Sequence, residues 1–370
     1  MVKIKQALWK GKVIVMKFIH IADIHLGAVP DSNRPWGADR EKELWRSFEY
    51  IIEQCNEDKI DLLLIAGDLF HRQPLLRELK EVDYILNKLE TSKVVIIAGN
   101  HDFVGARSYY QDFKWNDKVS MFLSEQMDKV VLEELETEVY GLSYCNRDIT
   151  KPLYDELKPE ENDYYHILLA HGGDEKDIPI NRRKLYESHF DYIALGHIHK
   201  PEVMNDKMAY SGSLEPIDKN EIGEHGYILG ELTRNNEGRI LTEVRFIPNS
   251  IRQYRRVALQ INQDTTNGAL VDQAKEIISS NGASDIYTFY IQGVRDEGIH
   301  FDKEVLKSLG CVLEVEDQSV PDYDFDALYR ENADNMIGMF IQRIRDNAKE
   351  DDIARKALYY GIEALLGAKN

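Results

Sequence analysis

Cysteine is scarce in this chain. The 370 residues include three cysteines, Cys55, Cys145 and Cys311, which lie far apart and form no C-x-x-C pair. This spacing argues against a disulfide framework, and we expect reduced thiols in a cytoplasmic protein. Long apolar runs are missing as well, since no stretch reaches the roughly 20 residues that a membrane-spanning helix requires. A membrane protein is therefore not expected.

Positive charge is also in deficit. Lysine and arginine total 46 against 65 aspartates and glutamates, which gives a formal net charge of −19. Such a balance argues against a protein that coats DNA passively, because affinity for polyanions comes mostly from Lys and Arg at the phosphates. It does not exclude a nucleic-acid enzyme, because bound divalent cations reverse the local potential of an acidic site.

Continuous apolar strands alternate with amphipathic helices in the first part of the chain. The runs DLLLIA at 61–66 and KVVIIA at 93–98 are each closed by glycine, and a helical period of apolar residues spans 40–59. Strands that are apolar throughout belong to sheets covered on both faces. With mixed parallel and antiparallel pairing predicted further on, the sequence indicates an α/β sandwich.

Changes of pattern divide the chain into four parts. Residues 1–15 are basic and partly apolar, and Pro248-Asn249-Ser250 precedes a short β-α-β-α-β pattern. After Pro321 the pattern is helical. We predict an N-terminal extension at 1–15, an α/β domain at 16–250, a small α+β domain at 251–318 and a helical C-terminal segment at 319–370.

Short polar signatures follow the predicted strands directly. In open α/β sheets, ligands bind outside the carboxyl ends of the strands, so groups that are distant in sequence can converge at one edge. Residues two apart on an extended segment also face the same side. The signatures are Asp23-x-His25, Gly67-Asp68, Gly99-Asn100-His101-Asp102, His171-Gly172, Gly196-His197-x-His199 and Tyr210-Ser211-Gly212-Ser213.

The residue types in these signatures indicate a dinuclear metal centre. Carboxylate, amide and imidazole ligands suit Mn²⁺, Fe²⁺ or Zn²⁺ better than Ca²⁺ or a thiolate-bound zinc. The candidates are too many for one ion, so two ions that share a carboxylate are expected, with Asp68 as the bridge. Two ions about 3.5–4 Å apart acidify a water and stabilise an in-line displacement at phosphorus. The candidate ligands are Asp23, His25, Asp68, Asn100, His171, His197 and His199.

The order of these signatures resembles that of the calcineurin-like metallophosphoesterase superfamily over about residues 16–250. Within it the chain is similar to the SbcD/YhaO-type DNA repair exonucleases, bacterial relatives of the nuclease in the MRN complex. The segments that discriminate this branch are ALGHIHKPE at 194–202, YSGSLEPID at 210–218 and GEHGY at 223–227. The resemblance implies a metallophosphoesterase mixed β-sandwich flanked by helices, in which 251–318 is a capping domain.

The same resemblance implies roles for individual residues. One metal would be held by Asp23, His25, Asp68 and His199, and the other by Asp68, Asn100, His171 and His197. His101 would protonate the leaving 3′ oxygen, and Asp102 would orient its imidazole. His71 would lie near the scissile phosphate, with a helix-capping histidine as the alternative. Ser213 is expected near the phosphate backbone of the substrate.

The implied function is a manganese-dependent DNA repair nuclease, with iron or zinc as alternative metals. It would be an exonuclease, with single-strand endonuclease activity as an addition, and would cut phosphodiesters with a water activated by two metals. Expected partners are DNA, an SMC-like ATPase of the SbcC/YhaN type bound by the C-terminal helices, and a second copy of the chain. Arg252, Arg255 and Arg256 could contact DNA or form a solvated strand edge. The alternatives are a small-molecule phosphodiesterase or nucleotidase, and a non-catalytic scaffold.

Overall fold

A computed structural model describes residues 14–235, 237–347 and 352–367. The chain forms two compact units, residues 1–254 and 255–370. Of the extension predicted at 1–15, residues 1–13 lie outside the described residues, and Ile14 and Val15 open the first strand. Among the described helices, none has the length and apolar character needed to cross a membrane.

The first unit contains two six-stranded sheets, whose strands are numbered along the chain. In the first sheet the four strands that begin with β1 run parallel, and two antiparallel strands extend it beyond β1. Its spatial order is β12 (Ile240–Pro248), β11 (Gly226–Arg234), β1 (Ile14–Ile21), β2 (Leu62–Ala66), β3 (Lys93–Ile97) and β4 (Val119–Met121).

The second sheet has a parallel centre and antiparallel edge strands. Its spatial order is β5 (Asp128–Leu132), β6 (Thr137–Gly141), β7 (Tyr165–His171), β8 (Tyr192–Gly196), β10 (Met208–Tyr210) and β9 (Glu202–Asn205). The parallel strands of each sheet therefore present their carboxyl ends together.

Alternate residues of the central strands enter different cores. In β2, Leu62 and Leu64 pack in the core shared with the second sheet, whereas Leu63 and Ile65 pack with residues of helices α1 (Gly37–Glu57) and α2 (Leu76–Leu86). On the outer face of the second sheet lies a third core, which includes helix α3 (Arg182–Tyr186). Burial on both faces explains the continuous apolar runs, and the predicted α/β sandwich with flanking helices is confirmed.

The second unit is smaller and mixed in structure. Its strands are β13 (Tyr254–Ile261), β14 (Ile286–Arg295), β15 (Val312–Asp317) and β16 (Val320–Pro321), and its first helices are α4 (Asn267–Asn281) and α5 (Lys303–Lys307). The helical segment predicted after Pro321 contains α6 (Phe325–Glu331), α7 (Met336–Asn347) and α8 (Asp352–Gly367).

A buried arginine fixes the segment around Glu215 against α1. Arg40 is fully buried, and its Nη1 donates to Glu43 Oε2 at 2.7 Å and lies 3.8 Å from Glu215 Oε2. Its Nη2 donates to the carbonyl of Pro216. Glu215 also accepts a hydrogen bond of 2.5 Å from the Ser47 hydroxyl. The discriminating segment 210–218 is therefore anchored by its glutamate in the protein interior.

Arg40→Ala tests this anchor. The substitution leaves the Glu43 and Glu215 carboxylates buried without the Arg40 cation. We expect the free energy of unfolding to fall by about 3–5 kcal/mol, measured by urea denaturation. Lys42→Ala on the same helix is the matched control, since its side chain is 65% exposed, and it should change stability by no more than about 0.5 kcal/mol. Equal losses in the two variants would contradict the anchor.

Candidate metal centre

The polar signatures meet where parallel strands end. Asp23 and His25 follow β1, Asp68 follows β2, and the backbone joins them, since Asp23 N donates to the Gly67 carbonyl (3.1 Å) and His25 N to that of Asp68 (3.0 Å). His171 is the last residue of β7. The edge that the sequence predicted is thus formed by strand ends of both sheets.

One cluster of ligand atoms is built from Asp23, His25 and His199, whose atoms lie within 4.8 Å of one another. The Nε2 atoms of His25 and His199 are 3.0 Å apart. His25 Nε2 is also 3.8 Å from Asp68 Oδ2. These are the residues predicted to hold one metal.

A second cluster adjoins the first. Asp23, Asp68 and His171 place ligand atoms within 4.8 Å of one another. His171 Nε2 is 3.5 Å from Asp68 Oδ2 and 3.1 Å from Asn100 Oδ1. Asp68 therefore contacts a histidine of each cluster, as a bridging carboxylate would, and Asp23 belongs to both clusters as well.

His197 lies beside this group in a different orientation. Its ring centroid is 5.3 Å from that of His171. Its Nε2 is 3.0 Å from Asp174 Oδ2 and 3.8 Å from Asp177 Oδ2, which leaves Nδ1 as its other potential ligand atom. The Nε2 of His199 instead lies 3.0 Å from His25 Nε2, so the two histidines contact different groups.

The backbone at the candidate ligands is left-handed. Asp23, His25 and Asp68 have φ of 51°, 50° and 50°, and His197 has φ of 93°. Side chains other than glycine rarely adopt this region, and the strain of about 1–3 kcal/mol per residue is typical of functional sites. Asp23 and His25 therefore converge because the chain turns after the strand, and the strand alternation proposed from the sequence does not apply.

Glycines let the clusters approach the backbone. A Cβ at Gly99 would collide with the Asp68 carboxylate and come within 2.7 Å of His171 Nε2. A Cβ at Gly196 would collide with the Ala66 carbonyl and come within 2.9 Å of His171 Nδ1. These two glycines are needed for close approach, and Gly67 both makes a turn with φ of 90° and approaches His171, with whose Nδ1 an added Cβ would collide.

Opposite charges shift the pKa values of Asp68, His171 and His199 toward their ionised forms, whereas burial raises the pKa of Asp23 and lowers that of His25. Burial would raise the pKa of Asp68, but His171 and His25 hold it well below its usual range. Burial would lower the pKa of His171, but the Asp68 carboxylate raises it to about 9. For His199, the hydrogen bond with Glu221 and the charge of Asp23 outweigh burial and raise the pKa to about 9. The site thus favours positive charge among its carboxylates.

His101 is held at the rim of the site. Its backbone N donates to Asp68 Oδ1 at 2.9 Å, and its Nδ1 donates to the carbonyl of His71 at 3.1 Å. The imidazole rings of His101 and His71 are stacked, with centroids 5.1 Å apart. The His71 Nδ1 is 3.3 Å from His25 Nδ1. Since Leu75 is the N-cap of α2, the helix-capping alternative for His71 is wrong.

Asp102 has a different role from the one predicted. Its carboxylate accepts hydrogen bonds from Gly99 N (2.8 Å), Phe70 N (3.2 Å) and the Tyr110 hydroxyl (2.8 Å). Burial and the Asp68 charge raise its pKa to about 7. The orientation of the His101 imidazole comes from the His71 carbonyl instead. The buried Asp102 carboxylate therefore joins the two loops that carry His101 and His71 through its hydrogen bonds.

Two other expectations differ from the structure. Ser213 is fully buried, and its hydroxyl pairs with His225 Nδ1 at 2.9 Å, so it does not face a substrate. Arg252 Nε donates to Glu43 Oε1 at 2.7 Å, and Arg255 pairs with Asp285. These two arginines are paired with carboxylates of the chain, which argues against the first of the two alternatives, contact with DNA phosphates.

Sequence reasoning missed two carboxylates, Glu221 and Asp174, that contact candidate metal-binding histidines. Glu221 Oε1 is 2.7 Å from His199 Nδ1, and Asp174 pairs with His197. Both lie in loops without a periodic pattern. Asp174 follows His171 by three residues, and this proximity is the only signal in the sequence that could have indicated it.

The model of the calcineurin-like phosphoesterase family matches residues 16–201, which is half of the chain. The chain belongs to the calcineurin-like phosphoesterase family. This membership confirms the resemblance that the strand-end signatures indicated. Metallophosphoesterases bind divalent metals, and the two clusters supply the oxygen and imidazole donors that such ions require.

Curated relatives match about three fifths of the chain. The DNA double-strand break repair protein Mre11 of Methanocaldococcus jannaschii is 34% identical over 246 residues, which are 60% of this chain and 64% of that protein. The metallophosphoesterase YhaO of Bacillus subtilis is 27% identical over 60% of this chain and 58% of its own length. Mre11 of Methanopyrus kandleri is 26% identical over 63% and 56%. The chain thus spans about three fifths of these relatives.

The residues fit a pair of divalent cations. His171 Nδ1 donates to the Ala66 carbonyl at 2.8 Å, so its Nε2 presents a lone pair toward the oxygens of Asp68 and Asn100. Such an arrangement of acceptors needs a proton or a cation between them. The same holds for the facing Nε2 atoms of His25 and His199.

Metal should therefore stabilise the folded chain. At a Mn²⁺ concentration about 100 times the dissociation constant, the free energy of unfolding should rise by about 2.7 kcal/mol, measured by denaturation with MnCl₂ and with EDTA. Asp68→Asn should lose most of this gain, because Asp68 contacts both clusters. Asp206→Asn, an exposed turn position, is the control. A gain in Asp68→Asn equal to that of the wild type would contradict the assignment.

Proposed function

We propose that this chain is a DNA repair nuclease that hydrolyses phosphodiesters at a dinuclear manganese centre, with iron or zinc as alternative metals. The observation that carries the proposal is the convergence of Asp23, His25, Asp68, His171 and His199 at one edge formed by two sheets. Asn100 completes the second cluster, and His197 adjoins it. Bound there, two divalent cations would neutralise the phosphate oxygens and acidify the attacking water.

His101 is the proposed general acid. A carbonyl oxygen only accepts, so the bond to the His71 carbonyl places a hydrogen on His101 Nδ1 and leaves Nε2 to carry the proton that is transferred. When the attacking water gives up a proton and its oxygen bonds to phosphorus, the P–O3′ bond breaks and the His101 proton passes to the leaving 3′ oxygen. The proton released by the water then restores His101. The hydrogen bond from His101 N to Asp68 keeps the ring beside the metal-binding carboxylate. His71, at the same rim, would contact the scissile phosphate.

DNA is favoured over a small ester by two observations. Relatives named as DNA double-strand break repair proteins match the chain over 60% and 63% of its length. The segment 210–218, which discriminates the nuclease branch, lies against His199, since Ser213 N donates to the His199 carbonyl at 3.0 Å. The segment 223–227 contacts that segment through His225, whose Nδ1 is 2.9 Å from the Ser213 hydroxyl. A small-molecule phosphodiesterase or nucleotidase is the alternative, and the net charge of −19 favours it.

Three substrates separate these functions. With Mn²⁺, we expect cleavage of linear DNA from its ends, together with slower cutting of circular single-stranded DNA and of bis-p-nitrophenyl phosphate. The assay follows released nucleotides and p-nitrophenolate in the same preparation. Turnover of the small ester alone, with both DNAs intact, would support the alternative function.

His101→Ala tests the mechanism in the same assay. Loss of the general acid should lower the rate of DNA cleavage by about 10²–10⁴ while metal stoichiometry, measured by atomic emission, stays at that of the wild type. His300→Ala, an exposed histidine of the second unit, is the matched control and should keep full activity. Loss of metal from His101→Ala would remove the acid role.

The C-terminal helices are the proposed binding site for an SMC-like ATPase of the SbcC/YhaN type. Ile337, Ile341 and Ile362 pack together inside the second unit. Met336 and Met339, on the opposite side of α7, are 70% and 67% exposed. Exposed flexible apolar side chains of this kind are typical of surfaces that bind partner helices. The homodimer stays a prediction, and α2 offers Tyr84, 63% exposed, as an apolar surface residue.

A double substitution tests this surface. Met336→Asp with Met339→Asp should abolish co-elution of the full chain with the cognate ATPase, because buried carboxylates would replace apolar contacts. Gln342→Asp, which adds one charge at an exposed position of the same helix, should retain binding. Co-elution of the double variant at wild-type yield would exclude this face of α7.

A further inference from the structure

A carboxylate contacts His199 on the side away from the two clusters. Glu221 Oε1 is 2.7 Å from His199 Nδ1. The other ring nitrogen, Nε2, is 3.0 Å from His25 Nε2 and belongs to the cluster with Asp23. The two nitrogens of one imidazole therefore have opposite environments, an acidic acceptor on one side and candidate metal ligands on the other.

We infer that Glu221 is a positioning residue, which holds His199 in the tautomer and orientation that a metal requires. A carboxylate is an acceptor, so Nδ1 carries the hydrogen and the Nε2 lone pair faces Asp23 and His25. A carboxylate behind a metal-binding imidazole also raises its basicity, and removal of such a partner typically weakens metal affinity about 10–100-fold. This inference rests on the dinuclear centre of the proposed function.

Glu221 is itself held in place by the chain around it. Its second oxygen, Oε2, accepts the backbone N–H of Ile217 at 2.8 Å, and its own backbone N–H donates to the Asp218 carbonyl at 2.9 Å. The side chain is 17% exposed. A carboxylate with one oxygen bound to the backbone and the other to a histidine has a single orientation, as a positioning role requires.

A series of buried hydrogen bonds connects the turn at Glu221 to the segment that carries His199. His225, 2% exposed, hydrogen-bonds with the Glu221 backbone carbonyl and places Nδ1 2.9 Å from the Ser213 hydroxyl. Ser213 N in turn donates to the His199 carbonyl. A Cβ at Gly212 would come within 2.6 Å of that same carbonyl. The loop from 212 to 225 therefore returns to His199 through backbone and side chain together.

In this geometry the segments 210–218 and 223–227 both help to hold His199 in position. Neither presents a side chain that the metal clusters contain, although the sequence singles both out. Ser213 and His225 locate the loop, and Glu221 reaches from it to the histidine. The segments thus support one ligand of the site from behind.

The test measures metal binding without DNA, so it does not depend on nuclease activity. Isothermal titration with MnCl₂ compares the wild type with Glu221→Ala and Glu221→Gln in the full chain. We expect Glu221→Ala to bind one of two ions about 10–100-fold more weakly. Glu221→Gln keeps an oxygen that can accept from Nδ1 but loses the charge, so its affinity should fall between the two. Glu224→Ala, an exposed glutamate of the same loop, should bind as the wild type does.

The outcomes are distinguishable. Wild-type affinity for both ions in Glu221→Ala would overturn the role of Glu221 and leave the metal centre intact. An equal loss in Glu224→Ala would overturn it too, because a general charge effect would then suffice. If circular dichroism shows that Glu221→Ala is unfolded, Glu221→Gln decides, and wild-type affinity there would make the residue merely structural. Fewer than two ions bound by the wild type would contradict the dinuclear centre itself.

Discussion

The first unit depends on one electrostatic constraint, which is the burial of carboxylates and imidazoles around Asp23 and Asp68. Both aspartates are at most 1% exposed, and three histidines, His25, His171 and His199, point ring nitrogens at this group. Ionised groups in the interior are stable only when charge and hydrogen bonds balance. The two sheets, the glycines at the close approaches and the surrounding carboxylates all serve to hold that balance in place.

The supporting contacts lie at different depths. Asp102 joins the backbone of two ligand loops to Tyr110, and Arg40 joins the segment at 215–216 to α1. Glu221 acts closest to the site, on His199 itself. Rigid placement by residues behind the ligands is what metal affinity and phosphoryl transfer require of a protein.

The sequence predicted the central strands and their polar ends because both leave strong local patterns. A strand buried on both faces, such as β2, is a continuous apolar run, and glycine and aspartate follow it directly. Edge strands β4 and β5 were missed, since their residues are mostly half-buried or exposed and form no such run. Glu221 was missed for another reason: it lies 22 residues beyond His199, and only the folded loop brings them together. The direction in which His197 points was likewise inaccessible, because it depends on a left-handed residue after the strand.

The left-handed backbone at Asp23, Asp68 and His197 affects which substitutions would accumulate at the site if its function were lost. Glycine adopts positive φ without steric strain, so conformational preference alone would favour glycine at these three positions. The metal chemistry opposes that preference, together with the backbone hydrogen bonds that the Asp23 and Asp68 carboxylates accept. A descendant freed from catalysis but still required to fold should therefore accumulate glycine or asparagine there first. Such replacements would indicate an inactive homologue more reliably than changes in the core, which packing continues to constrain.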